Sequence, residues 1–108
     1  MNPADYEVAF KIISVAGNAK SSCLMAIRES REGNFDEAAK LLAEADGDLH
    51  QAHDFQTKML QDEARGNAVP LNIILVHAQD HLTGAILVRD LADEFIEINK
   101  RLANADQA

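Results

Sequence analysis

At 108 residues the chain is long enough for one hydrophobic core and too short for two, so we expect a single domain over residues 1–108. Hydrophobic residues make up 47% of the sequence and aromatic residues 5%, which favours aliphatic packing between helices over a sheet sandwich. The formal net charge of −8 argues against a nucleic-acid or anionic-membrane surface, because both need clustered lysine and arginine.

The single cysteine, Cys23, excludes a disulfide framework and a cysteine-rich metal site, and we expect a reduced structural thiol. The N-terminal residues 1–11 lack the apolar run of a signal peptide. No stretch reaches the roughly 18 apolar residues that a membrane span requires. These features predict a soluble cytoplasmic protein without direct membrane insertion.

The first predicted helix covers about residues 3–32. Asn2 is the expected N-cap, Pro3 takes the first helical position, and Asp5 lies in the positively polarised first turn. A glycine inside a helix costs about 1 kcal/mol relative to alanine. Gly17 is therefore predicted to mark the close approach of another helix, the alternative being a tolerated weak point.

The second predicted helix covers about residues 35–65. Gly33 is expected to end the first helix, and Asn34 with Glu37 has the arrangement of a capping box. The Asp-Gly-Asp run at 46–48 interrupts the apolar face of the second helix. We interpret this run as a solvated kink or an exposed turn rather than a break, because the helical spacing resumes in phase after it.

After a Gly-Asn connector at 66–70, the third predicted helix covers about residues 70–103, with Pro70 at or just before its start. Its second half has the pattern of an ordinary surface helix, with one apolar stripe: Leu87, Leu91, Phe95, Ile98 and Leu102. From 71 to 88, apolar residues point nearly all round. Since a three-helix bundle buries one face of each helix, this segment predicts a second burial surface, most simply an oligomer interface. The fold class predicted is an all-α, antiparallel three-helix bundle.

Polar residues interrupt this apolar segment at 77–81. At about 100° per residue, His77, Asp80, His81 and Gly84 share a helix sector about 100° wide. A neutral imidazole is a nucleophile toward a phosphoryl donor, and Gly84 leaves room for an approaching group. If the apolar seam beside Asp80 is a symmetry axis, identical carboxylates meet there and need a shared proton or cation. The alternative is a pair of structural histidines in a polar layer of the bundle.

A transition-metal site is a further alternative. His50 and His53 on the second helix, and His77 and His81 on the third, have spacings of one helical turn, so four imidazoles could face one another. No Glu-x-x-His pair accompanies them, and His50 lies on a charged side. The sequence therefore does not favour this site.

Four segments together resemble one known family. They are Val-His-Ala-Gln-Asp-His-Leu at 76–82, Ala-Gly-Asn-Ala-Lys-Ser at 16–21, Ala-His-Asp-Phe-Gln-Thr at 52–57 and Gly-Asn-Phe at 33–35. In this order and spacing they are similar to the lactose/cellobiose (chitobiose) family of enzyme IIA components of the bacterial phosphoenolpyruvate-dependent sugar phosphotransferase system. The sequence departs from the family at Thr83-Gly84, where Met-Thr is frequent. This departure leaves the histidine and the aspartate in place.

The resemblance implies a homotrimer of three-helix chains, a nine-helix bundle with the all-round apolar segment in its core. It implies that His77 is phosphorylated by the phosphocarrier HPr and passes the group to a cysteine of the cognate IIB component. Asp80 matches an aspartate whose three copies hold a divalent cation, usually Mg²⁺, on the threefold axis. Four further residues are expected to support the site, two beside His77 and two from the second helix: Gln79, His81, His53 and Gln56.

The leading functional hypothesis is thus a phosphocarrier for the uptake and phosphorylation of a β-linked disaccharide. No ATP-binding loop is needed for this role, and the sequence contains none. The alternative, from a different class, is a noncatalytic helical adaptor whose histidines are structural. The sequence does not name the sugar, because a IIA component contacts other proteins and the membrane component IIC selects the substrate.

Overall fold

The computed structural model describes residues 3–107, without the side chains of residues 4, 5 and 107. Three helices follow one another along the chain: α1 (Pro3–Arg31), α2 (Phe35–Ala64) and α3 (Ile73–Gln107). The first two have nearly the predicted bounds, whereas α3 begins at residue 73 rather than 70 and ends at 107 rather than 103. The predicted N-cap Asn2 and the side chain of Asp5 lie outside the described residues.

The turns that end α1 and α2 have the same local structure, built on a glycine. Gly33 and Gly66 have φ angles of +82° and +88°, a left-handed conformation that is cheapest without a Cβ. In both turns the N–H of the following asparagine donates to the carbonyl oxygen five residues earlier, at 2.9 Å. These bonds satisfy carbonyl groups left open at the helix end. The predicted stops at the two glycines are confirmed.

The first turns of α2 and α3 are capped differently. Asn34 occupies the N-cap position of α2 as predicted, but its Nδ2 donates to Oε2 of Glu29 at 2.8 Å, and its side chain accepts nothing from α2. The predicted capping box with Glu37 is therefore wrong, because the asparagine amide is turned back toward α1. Asn72 caps α3, and its Oδ1 accepts a first-turn N–H at 2.9 Å. α3 therefore begins directly after Asn72, and Pro70 lies two residues before this cap, outside the helix.

The core is thin, rich in alanine and centred on α1, in a molecule of 61 × 23 × 19 Å. α1 packs along both other helices, whereas α2 and α3 contact each other little. Three successive clusters bury residues of all three helices: Ala9, Ile12, Ala16, Ala52, Ala78, Leu82 and Ala85; Ala19, Cys23, Ala45 and Ala92; and Ala26, Ala38, Leu41 and Ile96. Early residues of α1 thus meet early residues of α3. These two helices run parallel, and α2 runs antiparallel to both.

α2 continues as one helix through residues 46–48, so the prediction that this run does not break the helix is confirmed, and the run is not an exposed turn. The carboxylate of Asp46 is held by Arg89 of α3, whose Nε donates to Oδ1 at 2.6 Å and whose Nη2 donates to Oδ2 at 3.1 Å. A third bond, 2.8 Å long, joins Nη1 of Arg89 to Asp93. The polar run therefore ties α2 to α3 instead of interrupting α2.

α3 turns its predicted core stripe outward. Side chains of this outer stripe are 44–59% exposed: Leu87, Leu91, Phe95, Ile98 and Leu102. Ala85, Ala92 and Ile96 face the core instead and are at most 7% exposed. The prediction of an ordinary surface helix from Leu87 onward is therefore wrong, because short alanines form the contact face and larger side chains remain outside. Even so, none of the helices within residues 3–107 combines the length and apolarity that crossing a bilayer demands.

Gly17 does not mark a close helix approach within the chain. A Cβ built at Gly17 would meet no atom within 4 Å. The buried small residues on either side of it, Ala16 and Ala19, make the close contacts of this part of α1. The prediction for Gly17 is wrong inside one chain, and the position opens onto free space.

Candidate functional site

His77 and His81 lie one turn apart on α3, and their rings are in contact. Their Nε2 atoms are 2.9 Å apart, the ring centroids are 4.3 Å apart, and the ring planes meet at 82°. A hydrogen bond between two imidazoles requires one Nε2 to carry a proton and the other to offer its lone pair. His77 is exposed and His81 is half-buried. His77 is thus the more accessible of the two rings, and the ring of His81 lies against it.

His77 lines an open groove of about 480 Å³ between the first parts of α1 and α3. The other lining residue with a charged group is Asp80. The remaining walls are apolar and come from both helices: Phe10, Ile13, Ile73, Ile74 and Val76. The structure therefore brings a nucleophilic imidazole and a carboxylate together in an otherwise apolar groove.

Asp80 joins this groove to a smaller one of about 290 Å³, where it lies with Lys20 of α1 and with His81, Thr83, Gly84 and Leu87. Asp80 is exposed, and helical spacing puts it in line with the outer stripe of α3. No group of three histidine, cysteine, aspartate or glutamate side chains within the described ranges could hold a metal ion. A carboxylate suits Mg²⁺, which takes oxygen ligands, but one chain offers a single carboxylate here.

Gln79 points away from His77, since residues two positions apart on a helix differ by about 200°. Its Oε1 accepts a hydrogen bond of 2.5 Å from Nε2 of Gln56 on α2. Both glutamines line a separate groove of about 420 Å³ between α2 and α3, which shares Val76 with the His77 groove. The structure thus brings Gln56 and Gln79 together, but in the neighbouring groove and not in the groove that His77 lines.

The histidines of α2 lie on its outer surface. His53 is exposed. His50 forms an exposed ion pair with Asp54, with Nε2 3.6 Å from Oδ2. The structure does not assemble the alternative four-histidine metal site from the residues that it describes.

The sequence reasoning missed two residues of α1, Phe10 and Lys20. Helical spacing puts both on one face of α1 together with Ile13 and Gly17. Phe10 is 56% exposed although its spacing is that of a core residue. The signal in the sequence was a basic residue at the end of this apolar face. In the structure this residue, Lys20, lies beside Asp80 and His81 in the smaller groove.

Residues 7–100 match the family model described as the lactose/cellobiose-specific IIA subunit of the PTS system. The chain belongs to this family. The lichenan-specific phosphotransferase enzyme IIA component of Bacillus subtilis (strain 168) is 39% identical to it over 102 residues, which cover 94% of this chain and 93% of that relative.

Solved structures of IIA proteins have the same fold. The crystal structure of the PTS cellobiose-specific enzyme IIA from Bacillus anthracis superposes with a TM-score of 0.93 at 38% identity, over 96% of this chain and 95% of that one. The IIA(chitobiose) protein of Escherichia coli, solved in complex with HPr, superposes with a TM-score of 0.78 at 32% identity, over 90% of this chain and 94% of that one. The predicted all-α three-helix fold is confirmed.

Family membership confirms the resemblance drawn from the four sequence segments. Members of the family are enzyme IIA components of the sugar phosphotransferase system, so the function that these likenesses support for this IIA protein is that of a phosphocarrier. The relatives named above differ in sugar, from lichenan to cellobiose and chitobiose. The family therefore gives the class of reaction without the substrate.

Proposed function

We propose that this IIA protein accepts a phosphoryl group from phospho-HPr on His77 and passes it to a cysteine of the cognate IIB component. The observation that carries the assignment is the exposed ring of His77, held 2.9 Å from His81 at the edge of an open groove. The likeness to a IIA(chitobiose) protein solved with HPr supports HPr as the donor.

Each transfer exchanges one bond to phosphorus for another. A ring nitrogen of neutral His77 forms an N–P bond with its lone pair while the bond from phosphorus to the donor breaks, and that electron pair stays on the donor. In the second step the thiolate of the IIB cysteine forms an S–P bond, and the electron pair of the N–P bond returns to the ring of His77. Positioning and charge stabilisation therefore account for most of what the protein must supply.

The four supporting residues have different positions and, we propose, different roles. His81 orients the ring of His77 through their shared hydrogen bond. Gln79 is fixed by Gln56 across α2 and α3, beside the His77 groove. Gln56, Gln79 and the exposed His53 therefore serve recognition of the partner proteins, whereas His77 and His81 carry the phosphoryl chemistry.

The outer stripe of α3 supports a homotrimer with a nine-helix bundle. Its side chains leave about half of their surface exposed along one side of a long helix, and exposed apolar surfaces of this extent mark interaction sites. Three copies packed along this stripe would bury it around a threefold axis. The sequence predicts the second burial surface for residues 71–88, where Leu71, Ile73 and Val76 are 49–80% exposed, and the stripe would extend that surface along α3.

In such a trimer Asp80 would bring three carboxylates to the axis, and we propose that these hold one Mg²⁺ ion. The chemistry of the donor fits, since Mg²⁺ prefers oxygen ligands and like charges that meet need a cation between them. The role of the ion is structural. Transfer between His77 and its partners requires no step at the metal.

The test of the phosphocarrier assignment is incubation with phosphoenolpyruvate, the enzyme that phosphorylates HPr, and HPr. We expect the intact mass to rise by one phosphate, and we expect no rise for His77→Ala. His50→Ala is the matched control, because His50 is an exposed histidine of α2 that pairs with Asp54 and lines neither groove beside His77. A wild-type protein that stays unlabelled would favour the noncatalytic adaptor.

Sedimentation tests the trimer. The wild type should sediment with the mass of three chains at micromolar concentration, and Phe95→Lys should dissociate it, because a charge would enter the outer stripe. Leu60→Lys is the control, since Leu60 is 64% exposed on α2, away from the stripe. A wild-type mass of one chain would disprove the trimer.

The sugar is proposed to be a β-linked disaccharide, selected by the membrane component IIC, which this protein serves through IIB. Identification of the IIB and IIC genes that are transcribed with this one, followed by uptake assays with candidate disaccharides, would test this part. Uptake of an unrelated sugar class by that IIC would contradict it.

A further inference from the structure

We propose that Lys20 of α1 is a further phosphoryl-binding residue, whose ammonium group, together with the imidazole of His81, holds oxygen atoms of the phosphoryl group carried by His77. The inference rests on the proposed role of His77. It adds to that site a cation from a different helix.

The smaller groove brings three hydrogen-bond donors to Asp80, which also lines the groove of His77. Lys20 lines the smaller groove together with His81 and Thr83, which are an ammonium, an imidazole and a hydroxyl group. All three are hydrogen-bond donors to phosphoryl oxygens. His81 lies in this groove and also contacts Nε2 of His77 at 2.9 Å, so the groove adjoins the ring of His77 through His81.

The charge balance of the site calls for such a cation. A phosphoryl group brings about two negative charges, and on His77 it would share an apolar groove with the carboxylate of Asp80. Like charges in such a setting repel each other unless a cation offsets them. The Mg²⁺ proposed at Asp80 would offset carboxylate charge at the axis, whereas Lys20, which lies in a groove with Asp80, supplies positive charge from the opposite helix for the phosphoryl group itself.

Lys20 forms no ion pair with a residue in the described part of the chain, whereas Lys11 of the same helix and Arg89 of α3 do. Nζ of Lys11 lies 3.4 Å from Glu7 and 5.8 Å from the ring centroid of Phe55 on α2. Arg89 is bound to two aspartates. Lys20 is therefore available to a ligand, and its side chain is exposed at the groove.

The helix geometry and the two glycines give the ammonium group room to reach the phosphoryl group. Side chains on a helix lean toward its N-terminus. Because α1 and α3 are parallel, Lys20 leans toward the end of the bundle where His77 lies. A Cβ at Gly84, in the groove, or at Gly17, one turn before Lys20, would meet nothing within 4 Å, so both positions leave open space.

The ammonium group contributes charge and hydrogen bonds and takes part in no covalent change. The bond exchange at phosphorus is the one given above, and Lys20 keeps its proton throughout. A charge-assisted hydrogen bond of this kind is shorter and stronger than a neutral one. Its removal should slow the transfer step itself and leave docking of HPr nearly unchanged.

The test compares Lys20→Met, Lys20→Arg and the control Lys11→Met, which removes the same charge from the same helix. Rapid-quench measurements with ³²P-labelled phospho-HPr give the saturating transfer rate and the half-saturating HPr concentration. We expect Lys20→Met to lower the saturating rate about tenfold, at a half-saturating concentration within about twofold of wild type. Lys20→Arg should keep most of the rate, and Lys11→Met should behave as wild type.

Labelling of His77 by the small donor phosphoramidate separates this inference from the proposed function. A slower reaction of Lys20→Met with phosphoramidate supports the role of Lys20 even if HPr proves to be the wrong donor. Equal rates for Lys20→Met and Lys11→Met with both donors would overturn it while leaving His77 as the phosphorylated residue. An effect of Lys20→Met on the half-saturating HPr concentration alone would also overturn it, because Lys20 would then be a docking contact.

Discussion

Nε2 of His77 lies 2.9 Å from Nε2 of His81, so one proton is shared between the two rings that face the candidate site. For Nε2 of His77 to attack phosphorus, the proton must lie on His81, which then donates to the nucleophile at rest and is free to donate to the phosphoryl group after transfer. The imidazole of His81 can thus donate to Nε2 of His77 before transfer and to the phosphoryl group after transfer.

Replacement of His81 should therefore slow phosphorylation without abolishing it. His81→Phe keeps a planar ring but removes the donor, and we expect a loss of about tenfold in the saturating rate. His81→Gln restores a donor and should recover part of the rate. Rapid-quench kinetics measure the rates, and ¹⁵N NMR of the His77 ring reports its tautomer. A wild-type rate in His81→Phe would contradict this role.

Asp80 should couple the stability of the assembly to divalent cations. If three copies hold Mg²⁺, a 100-fold excess of the ion over its dissociation constant stabilises the folded assembly by about 2.7 kcal/mol. We expect wild-type Tm to rise with Mg²⁺ and fall with a chelator, and Asp80→Asn to respond to neither. Asp90→Asn, an exposed aspartate on the same helix, is the control. A wild-type Tm that is indifferent to both additions would rule out a structural ion.

Arg89 should contribute measurably to the free energy of unfolding. It makes three hydrogen bonds to Asp46 and Asp93, and the bonds to Asp46 raise the pKa of its guanidinium above the ordinary range, so it remains charged. Because both aspartates are more than half exposed, we expect Arg89→Met to cost about 1 kcal/mol.

Urea unfolding measures this cost against a matched control. Arg101 forms one bond of 3.3 Å to Glu97, and the side chains of both are mostly exposed. Arg101→Met should therefore change the free energy of unfolding by less than about 0.5 kcal/mol. Equal costs for the two variants would show that the contact between α2 and α3 adds nothing to stability.

Cys23 should make stability decline at alkaline pH. Burial raises the pKa of its thiol above the ordinary value, and the positive charge of Arg89 opposes this less strongly. As pH rises past about 8.5, the thiol of the unfolded chain loses its proton first, while the folded chain retains it. The stability that the protonated thiol of Cys23 contributes is thus fully present below that pH. It is lost as pH rises through the raised pKa of the folded state.

Urea unfolding of wild type and Cys23→Ala between pH 7.5 and 10 isolates this effect, because all other groups titrate in both proteins. The free energy of unfolding of the wild type should fall relative to that of Cys23→Ala as pH rises. A difference that stays constant over this range would contradict the prediction.

The sequence predicted what depends on neighbours along the chain. Gly33 and Gly66 end helices because a left-handed residue is cheapest without a Cβ, and this preference is local. The sequence could not predict which face of α3 packs against the core. The helix has two apolar faces, and the one with alanines, which has less apolar surface, makes the contact. The partners Asp46 and Arg89 are 43 positions apart. Their contact depends on how α2 and α3 are placed around α1.

The same limit applies to the candidate site. Helical phase alone put His77, Asp80 and His81 on one face, because they belong to one helix. The sequence did not predict Lys20 as a site residue, because its place beside Asp80 and His81 depends on the register between α1 and α3. Gln56 was expected near His77 but contacts Gln79 in the neighbouring groove. This contact depends on the angle between α2 and α3, which the sequence of neither helix determines.

The central position of α1 has a consequence for the order in which the protein is made. α1 leaves the ribosome first, and its hairpin with α2 closes through the short turn at 32–34, so these two helices can pair while α3 is still being synthesised. α3 must then dock along α1 from the far end of the chain. The helix that bears His77 is thus the last of the three to arrive, and the groove around His77 forms only when α3 docks on α1.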